Sequence, residues 1–226
     1  MAKLMTRPAP VRIAAGGVEL KGDLQVPPGA RGVVLFAHGS GSSRLSPRNR
    51  FVAEALNLRG LGTLLIDLLT PSEDADEAAS RGLRFDIPLL ARRLEAVSDW
   101  LKRRPETRRL PLGYFGASTG AAAALTAAAG RPGDIFAVVS RGGRPDLALE
   151  HLARVKAPTL LIVGEGDPEV IGMNEAAASL MKSERRLEIV PEATHLFEEP
   201  GALESVARLA GDWFLSRLPA ESLRRT

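Results

Sequence analysis

The pentapeptide Gly-Ala-Ser-Thr-Gly at residues 116–120 constrains this chain more than any other segment, because its two flanks differ in character. An apolar run from Leu110 to Phe115 precedes it and predicts a strand, and an alanine-rich run follows it and predicts a helix. A G-x-S-x-G sequence between a strand and a helix predicts a sharp turn that presents the Ser118 hydroxyl at the end of a sheet. Glycine on either side of that turn lets the neighbouring backbone pass close by.

Apolar runs and amphipathic stretches alternate along the rest of the chain. Such alternation predicts right-handed βαβ units, and therefore an α/β fold with helices on both faces of a sheet. The first two strands flank Gly16-Gly17, and the second of them alternates apolar and polar residues, which predicts an antiparallel hairpin with one wet face. We expect a mostly parallel eight-stranded sheet with an antiparallel N-terminal edge, its strands over 11–13, 18–26, 32–37, 61–69, 110–115, 135–140, 159–163 and 187–190.

Helix signals lie between these strands. Ser46 followed by Pro47 predicts a helix start, and Gly60 predicts its end. Residues 70–85 are expected to form a loop or a partial helix, and the connection between the strands at 135–140 and 159–163 is too short for a large lid domain. We expect further helices over 86–104, from 118 onward, and over 145–155, 171–183 and 202–218.

Composition excludes several classes of protein. The 226 residues are expected to form a single domain, 1–226, because we find no repeat, linker or low-complexity tail. The chain has no cysteine, which excludes disulfides and a cysteine nucleophile, and no H-E-x-x-H pattern, so we expect neither a metal nor a cofactor. Without an apolar membrane span or a secretory signal at the N-terminus, the expected location is cytoplasmic and away from membranes.

The charge balance does not favour nucleic acid as a partner. The formal net charge is +3, but the basic residues are interleaved with acidic ones, and aromatic residues make up only 4% of the chain. A surface that binds nucleic acid needs a concentrated basic patch, and stacking on bases needs aromatic side chains. We expect a small-molecule ester as the partner of this chain, which would act as a monomer or a homodimer.

An acid and a histidine follow the later strands in a suitable order. Asp167 lies in the Gly-flanked turn after the strand at 159–163, and His195 lies in the loop after the last strand. Ligands bind at the carboxyl ends of the strands in open α/β sheets, so Ser118, Asp167 and His195 are candidates for one catalytic triad. In that triad His195 would accept the serine proton, and Asp167 would hold the imidazole tautomer.

Other interpretations of these residues stay open. Asp167 could simply cap a turn, and the residues at 116–120 could be a chance cluster of small residues in an alanine-rich chain. Asp146, after the preceding strand, is the second candidate for the acid. Weaker candidates are Asp67, Glu165 and Glu169.

The Gly-rich loop after the third strand supplies the next group of candidates. In the predicted architecture, one oxyanion donor is the N–H after the nucleophile, here that of Thr119, and the other comes from this loop. We assign the second donor to the Ser40 N–H, with Gly41 in reserve, and place His38 and Gly41 among the substrate-binding residues. A phosphate cradle is the alternative, but the loop lacks the Lys-Ser/Thr of a P-loop.

Arg141 follows a buried strand and should also lie at the ligand-binding edge of the sheet. A guanidinium there can bind a carboxylate or phosphate of a substrate through two hydrogen bonds. The favoured alternative is a structural ion pair with Asp67 or Asp86.

These motifs together resemble the α/β-hydrolase superfamily, and within it the dienelactone-hydrolase-like family. The resemblance extends from the loop His38-Gly39-Ser40-Gly41 to the segment Thr194–Glu198. It is strongest for a subgroup sometimes fused to a phosphoribosyltransferase domain, on the sequences Ala-Ser-Thr-Gly-Ala-Ala at 117–122 and Ala-Thr-His-Leu-Phe-Glu-Glu-Pro at 193–200. Dienelactone hydrolases proper use a cysteine nucleophile, and this chain has serine in its place.

The resemblance implies an α/β-hydrolase fold and a hydrolytic activity. With serine as nucleophile, we expect a small carboxylesterase without a large lid, which acts through an acyl-enzyme on Ser118. Lactonase or thioesterase activity is the nearest alternative. A non-catalytic accessory protein with the same fold is the alternative from a different class.

Overall fold

The predicted alternation of strands and helices is present in the computed structural model of the protein, which describes residues 7–76 and 82–220. The strands are β1 Ala9–Ala15, β2 Val18–Gln25, β3 Val33–Ala37, β4 Gly62–Ile66, β5 Leu112–Ala117, β6 Ile135–Arg141, β7 Thr159–Gly164 and β8 Arg185–Val190. The helices are α1 Pro47–Leu58, α2 Pro71–Ala75, α3 Ile87–Arg103, α4 Thr119–Gly130, α5 Leu149–Leu152, α6 Pro168–Leu180 and α7 Ala202–Ser216. A 3₁₀ turn, Pro145–Ala148, precedes α5.

One eight-stranded sheet organises these elements, in the order β1-β2-β4-β3-β5-β6-β7-β8. The pairs β1–β2 and β2–β4 are antiparallel, and every other pair is parallel, which confirms the expected sheet with its antiparallel N-terminal edge. In the described part of the chain no inserted domain interrupts this α/β-hydrolase fold. The carboxyl ends of the parallel strands therefore meet along one edge.

Helices cover both faces of the sheet, so the central strands are buried throughout. One hydrophobic cluster lies between the sheet and helices α3 and α4, and includes Leu35, Leu90 and Leu125. The other lies between the sheet and helices α1 and α7, and includes Phe36 and Phe214. Neighbouring residues of β3 thus enter opposite clusters, as the two-residue period of a strand requires. None of the helices in the described ranges is long and apolar enough to cross a membrane.

Several element ends differ from the prediction for local reasons. The strand expected over 61–69 ends at Ile66, because the Leu68 N–H donates to His38 Nε2 and not to a neighbouring strand. The helix expected over 171–183 begins at Pro168, where proline occupies the first turn directly after Asp167. The start of α1 is as predicted, with Ser46 Oγ accepting the Asn49 N–H. Part of the expected loop or partial helix at 70–85 lies outside the described residues.

Two glycine substitutions in helices should affect stability in opposite directions. A Cβ at Gly120, in the first turn of α4, would lie 2.3 Å from Ala37 O and 2.4 Å from His38 O, whereas a Cβ at Gly172 in α6 meets no atom within 4 Å. Gly120→Ala should therefore lower the free energy of unfolding by about 1–3 kcal/mol through overpacking. Gly172→Ala should raise it by about 0.5–1 kcal/mol, because alanine loses less backbone entropy in a helix. Urea unfolding of both variants measures the difference, and equal effects would contradict the close packing of α4 on β3.

Candidate active site

Ser118 lies in a sharp turn between β5 and α4, with its backbone at φ 51° and ψ −122°. A non-glycine residue at positive φ is strained, and the surrounding structure must hold it there. Here the Ser118 N–H donates to Arg141 O at 3.2 Å, while Ser118 O accepts the N–H of Ala121 at 3.0 Å. A Cβ at Gly116 would lie 2.4 Å from Ala121 Cα, so only glycine allows the helix to turn back so tightly. Ser118 is half-buried at the carboxyl end of β5.

Asp167 and His195 form a hydrogen-bonded pair at the same edge of the sheet. The distance from His195 Nδ1 to Asp167 Oδ2 is 2.6 Å. Because a carboxylate only accepts, His195 Nδ1 donates, and in the neutral ring Nε2 is left as the acceptor. The Asp167 side chain is only 17% exposed and that of His195 is 40% exposed, so the imidazole faces solvent while its partner is shielded.

The turn after β6 joins the serine to the histidine. Arg141 O accepts the Ser118 N–H, and a Cβ on the next residue, Gly142, would lie 3.5 Å from His195 Cε1 and 3.3 Å from His195 O. Ser118 and His195 therefore both lie next to the two-residue segment Arg141-Gly142. Within the described part of the chain, no hydrogen bond joins the Ser118 hydroxyl to His195. Catalytic hydrogen bonds often tighten only when substrate is bound.

The other acids weighed from the sequence interact elsewhere. Asp146 accepts two hydrogen bonds from Arg144, at 2.9 and 2.7 Å. Asp67 accepts the Arg44 backbone N–H at 2.8 Å. Among the described residues, none of the other candidate acids forms a hydrogen bond or an ion pair with His195: Asp67, Asp146, Glu165 and Glu169. The geometry therefore brings Asp167, and not the second candidate Asp146, to the histidine.

The predicted oxyanion loop packs against the nucleophile, with one departure from expectation. A Cβ at Gly39 would lie 2.9 Å from Ser118 Cβ, so loop and serine are in close contact. Thr119 opens α4, where its N–H has no acceptor within the helix. The Ser40 N–H, however, donates to Thr119 Oγ1 at 2.9 Å. It must share or release this acceptor to stabilise an oxyanion, and Gly41 stays the reserve donor.

His38 holds this loop in place through both ring nitrogens. Its Nε2 accepts the Leu68 N–H at 3.0 Å, which leaves Nδ1 protonated and 2.9 Å from Gly39 O. Burial lowers the pKa of His38, so the ring is neutral and can keep the acceptor role of Nε2. Through these contacts His38 links the predicted oxyanion loop to the segment after β4. His38 also lines the cavity beside this loop, and its role in substrate binding stays a prediction.

A buried arginine that the sequence analysis did not single out supports the same segment. Arg93 donates to Leu68 O at 2.6 Å and forms two hydrogen bonds with Glu73, at 2.9 and 2.6 Å. The Arg93 guanidinium holds the pKa of Glu73 below its usual range. Glu73 and Thr70 form a capping box at the start of α2. The sequence signal was the Thr-Pro-Ser-Glu run, which is typical of a capping box.

A cavity of about 190 Å³ opens beside the oxyanion loop. Leu68, Leu69 and Leu90 give it an apolar wall, and Ser40 and Thr119 lie at its border with the nucleophile. Its polar lining comes from the rest of the loop and from residues 67–74: His38, Gly39, Gly41, Ser42, Ser43, Asp67, Thr70 and Asp74, together with Arg84.

The expected ion pair of Arg141 with Asp67 or Asp86 is wrong. Arg44 occupies the Asp67 carboxylate, with Nη1 2.5 Å from Oδ2. The Asp86 carboxylate caps α3 by accepting the Leu89 N–H at 2.9 Å. The Arg141 side chain instead lies beneath α1, with Nη2 3.5 Å from Asn49 Oδ1.

Comparisons with known proteins find similarity along nearly the whole chain. A sequence model described as the dienelactone hydrolase family matches residues 27–213. A crystal structure of a dienelactone hydrolase from Anabaena variabilis ATCC 29413 is 59% identical, with a TM-score of 0.91, and the match covers 95% of this chain and 100% of that one. Est1E from Butyrivibrio proteoclasticus shares the fold at 18% identity, with a TM-score of 0.78 over 92% of this chain and 98% of its own.

Two curated proteins from Mycobacterium tuberculosis strains, provisionally named phosphoribosyl transferases, are each 56% identical over 208 residues. The match covers 92% of this chain and 46% of theirs, so the chain spans about half the length of the curated relatives it matches. Their name agrees with the resemblance to a subgroup joined to a phosphoribosyltransferase domain.

Replacement of the acid tests the assignment of Asp167. Asp167→Asn should lower kcat for ester hydrolysis by up to about 10⁴-fold, because an amide no longer holds the required imidazole tautomer. Asp146→Asn is the matched control and should leave kcat little changed, since Asp146 binds Arg144. Steady-state kinetics of both variants, with circular dichroism to verify folding, decides the matter. An inactive Asp146→Asn beside an active Asp167→Asn would reverse the assignment.

Proposed function

Since the chain belongs to the dienelactone hydrolase family, we propose that it is a serine hydrolase that cleaves small carboxylic esters through an acyl-enzyme on Ser118. The observation that carries this proposal is the 2.6 Å pair of His195 and Asp167 next to the strained Ser118 turn. A serine hydroxyl is a weak nucleophile until a base takes its proton. This arrangement supplies such a base, already oriented by an acid.

The proposed reaction proceeds in two halves. Ser118 Oγ attacks the ester carbonyl while His195 Nε2 accepts its proton, and the carbonyl oxygen becomes an oxyanion. The Thr119 and Ser40 N–H groups stabilise that oxyanion. When the tetrahedral intermediate collapses, His195 gives the proton to the departing alcohol. Water, deprotonated by His195, then attacks the acyl-enzyme, and the acid product leaves as Ser118 regains its proton.

Two features bear on the choice of substrate. Serine in place of the family's cysteine favours ordinary esters, and the small apolar cavity beside Ser40 suits a short acyl group. Lactones and thioesters have the same carbonyl chemistry and are the nearest alternatives. A small-molecule ester is the proposed partner, with the protein acting as a monomer or a homodimer.

Removal of the nucleophile tests whether the chain is an enzyme at all. Ser118→Ala should abolish hydrolysis of 4-nitrophenyl acetate while leaving the unfolding midpoint close to that of the native protein. A fluorophosphonate probe should label the native chain at Ser118, found by peptide mass spectrometry, and should not label the variant. A folded native protein that neither reacts with the probe nor hydrolyses the ester would favour the non-catalytic alternative.

A series of acyl lengths tests the assignment of the cavity. A space of about 190 Å³ should accept acyl chains of roughly two to six carbons, which is less than a pocket for drug-sized ligands holds. Values of kcat/KM for 4-nitrophenyl esters should fall for longer chains. Leu69→Ala removes part of the apolar wall and so enlarges the cavity; the acyl length with the highest kcat/KM should then become longer. An optimum at long chains in the native protein, with activation at a lipid interface, would contradict this assignment.

A further inference from the structure

Arg141 carries a buried charge without an acidic partner in the described part of the chain. Its side chain is at the carboxyl end of β6, and the residue is only 8% exposed. Nε and Nη1 are buried and contact no hydrogen-bond acceptor there, and Nη2 has only the long 3.5 Å contact with Asn49. The ring of Phe197 lies 5.9 Å below the guanidinium carbon. A buried cation with so few acceptors is costly unless an anion is present.

The neighbours of Arg141 add positive charge. Arg48, in the first turn of α1, is close enough for its charge to act on Arg141. Burial, with the Arg48 charge, lowers the pKa of Arg141 to about 10, so the group is still protonated at neutral pH. The Glu198 carboxylate is bound to Arg48, with Oε1 2.5 Å from Nη1.

This basic corner, Arg141 with Arg48, adjoins the proposed reacting atoms through the Arg141 backbone. Arg141 O accepts the Ser118 N–H, and a Cβ on the next residue, Gly142, would lie 3.5 Å from both His195 Cε1 and Phe197 Cε2. The apolar wall of the cavity and the Phe197 ring below Arg141 belong to clusters on opposite faces of the sheet. Leu68 and Leu90 of the cavity belong to the cluster under α3 and α4, whereas Phe197 belongs to the cluster under α1 and α7. An ester on Ser118 therefore has an apolar side and a basic side.

We propose that Arg141 and Arg48 form a subsite for an oxyanion group, a carboxylate or a phosphate, on the alcohol portion of the substrate. The inference rests on the proposed esterase activity and on an acyl group that occupies the apolar cavity. A guanidinium binds either anion through parallel hydrogen bonds. The preferred substrate is then the ester of a hydroxy acid or of an alcohol phosphate.

Esters matched in shape but not in charge test the subsite. 4-Acetoxybenzoate carries a carboxylate where 4-acetoxybenzamide carries a neutral amide, and 4-acetoxyphenyl phosphate carries a phosphate. The native protein should have a kcat/KM for at least one of the two anionic esters that is at least about tenfold higher than for the amide. The larger of the two preferences identifies the anion. No preference for either anion would overturn the proposal.

Variants show which residue is responsible. Arg141→Met should reduce the ratio of kcat/KM for the anionic ester to kcat/KM for 4-acetoxybenzamide to near one. A decrease in kcat/KM that is the same for both substrates does not affect this ratio. Arg50→Met is the matched control, because Arg50 is also on α1 but is exposed and pairs with Asp23; it should leave the ratio unchanged. An unchanged ratio in Arg141→Met would overturn the proposal.

A second variant tests the contribution of Arg48. Glu198→Gln removes the carboxylate that is bound to Arg48 and should raise the ratio in an otherwise native protein. A lower ratio would count against the subsite.

Failure of the subsite and failure of the esterase proposal have different signatures. A folded protein that hydrolyses none of the three esters lacks the proposed activity. Hydrolysis of the amide ester without an anion preference overturns the subsite alone. Thermal unfolding tests the subsite without turnover: benzoate should raise the Tm of the native protein more than benzamide does, and this difference should disappear in Arg141→Met. Equal shifts in the native protein would overturn the subsite.

Discussion

The close approach of α4 to the end of β3 sets the geometry on which the candidate site depends. Gly120 lies so near the carbonyl oxygens of Ala37 and His38 that a side chain would separate the two elements. At this spacing the loop after β3 contacts Ser118, and the Ser40 N–H reaches the first turn of α4. The positive end of the helix and the amides of the loop then converge on one point. That convergence favours a negative charge at the substrate carbonyl.

A second constraint is the direction of the hydrogen bonds behind the loop. Arg93 donates to Leu68 O, the Leu68 N–H donates to His38, and His38 in turn faces Gly39 O. A doubly protonated His38 would have two donors and could not accept from Leu68. Because burial keeps this ring neutral, the chain of hydrogen bonds has a single direction from α3 to the oxyanion loop. The predicted oxyanion loop is therefore held by a directed series of hydrogen bonds that begins at Arg93.

Local sequence patterns were sufficient to predict an α/β fold with a mostly parallel sheet. The buried strands, the helix starts at Ser46 and Asp86, and the antiparallel edge all follow from periodicity and capping, which act within a few residues. The end of β4 was misplaced because its continuation depends on His38, about thirty residues earlier in the chain. Periodicity contains no information about such a distant acceptor.

The positions of candidate site residues could be predicted where the end of a strand determines them. The hydrogen-bond partners of these residues were harder to predict, because several side chains can compete for one partner. Asp167 and His195 could be placed at one edge from strand order alone. The partner of Arg141 could not, because Arg44 and the start of α3 already occupy the two carboxylates that were expected to bind it. Likewise, the Thr119 hydroxyl competes for the Ser40 N–H, a contact between residues far apart in sequence.

Because β8 lies at the edge of the sheet, the proposed activity could be lost under conditions in which most of the fold is still intact. Ser118 follows a central strand, whereas His195 follows β8, which lies at the edge of the sheet beside β7 and has mostly exposed or half-buried residues. Edge strands open at a lower free energy than the centre of a sheet. A transient detachment of β8 would move the imidazole away while the central strands and Ser118 keep their places. The working lifetime of such a molecule is then governed by its outermost strand and not by its core.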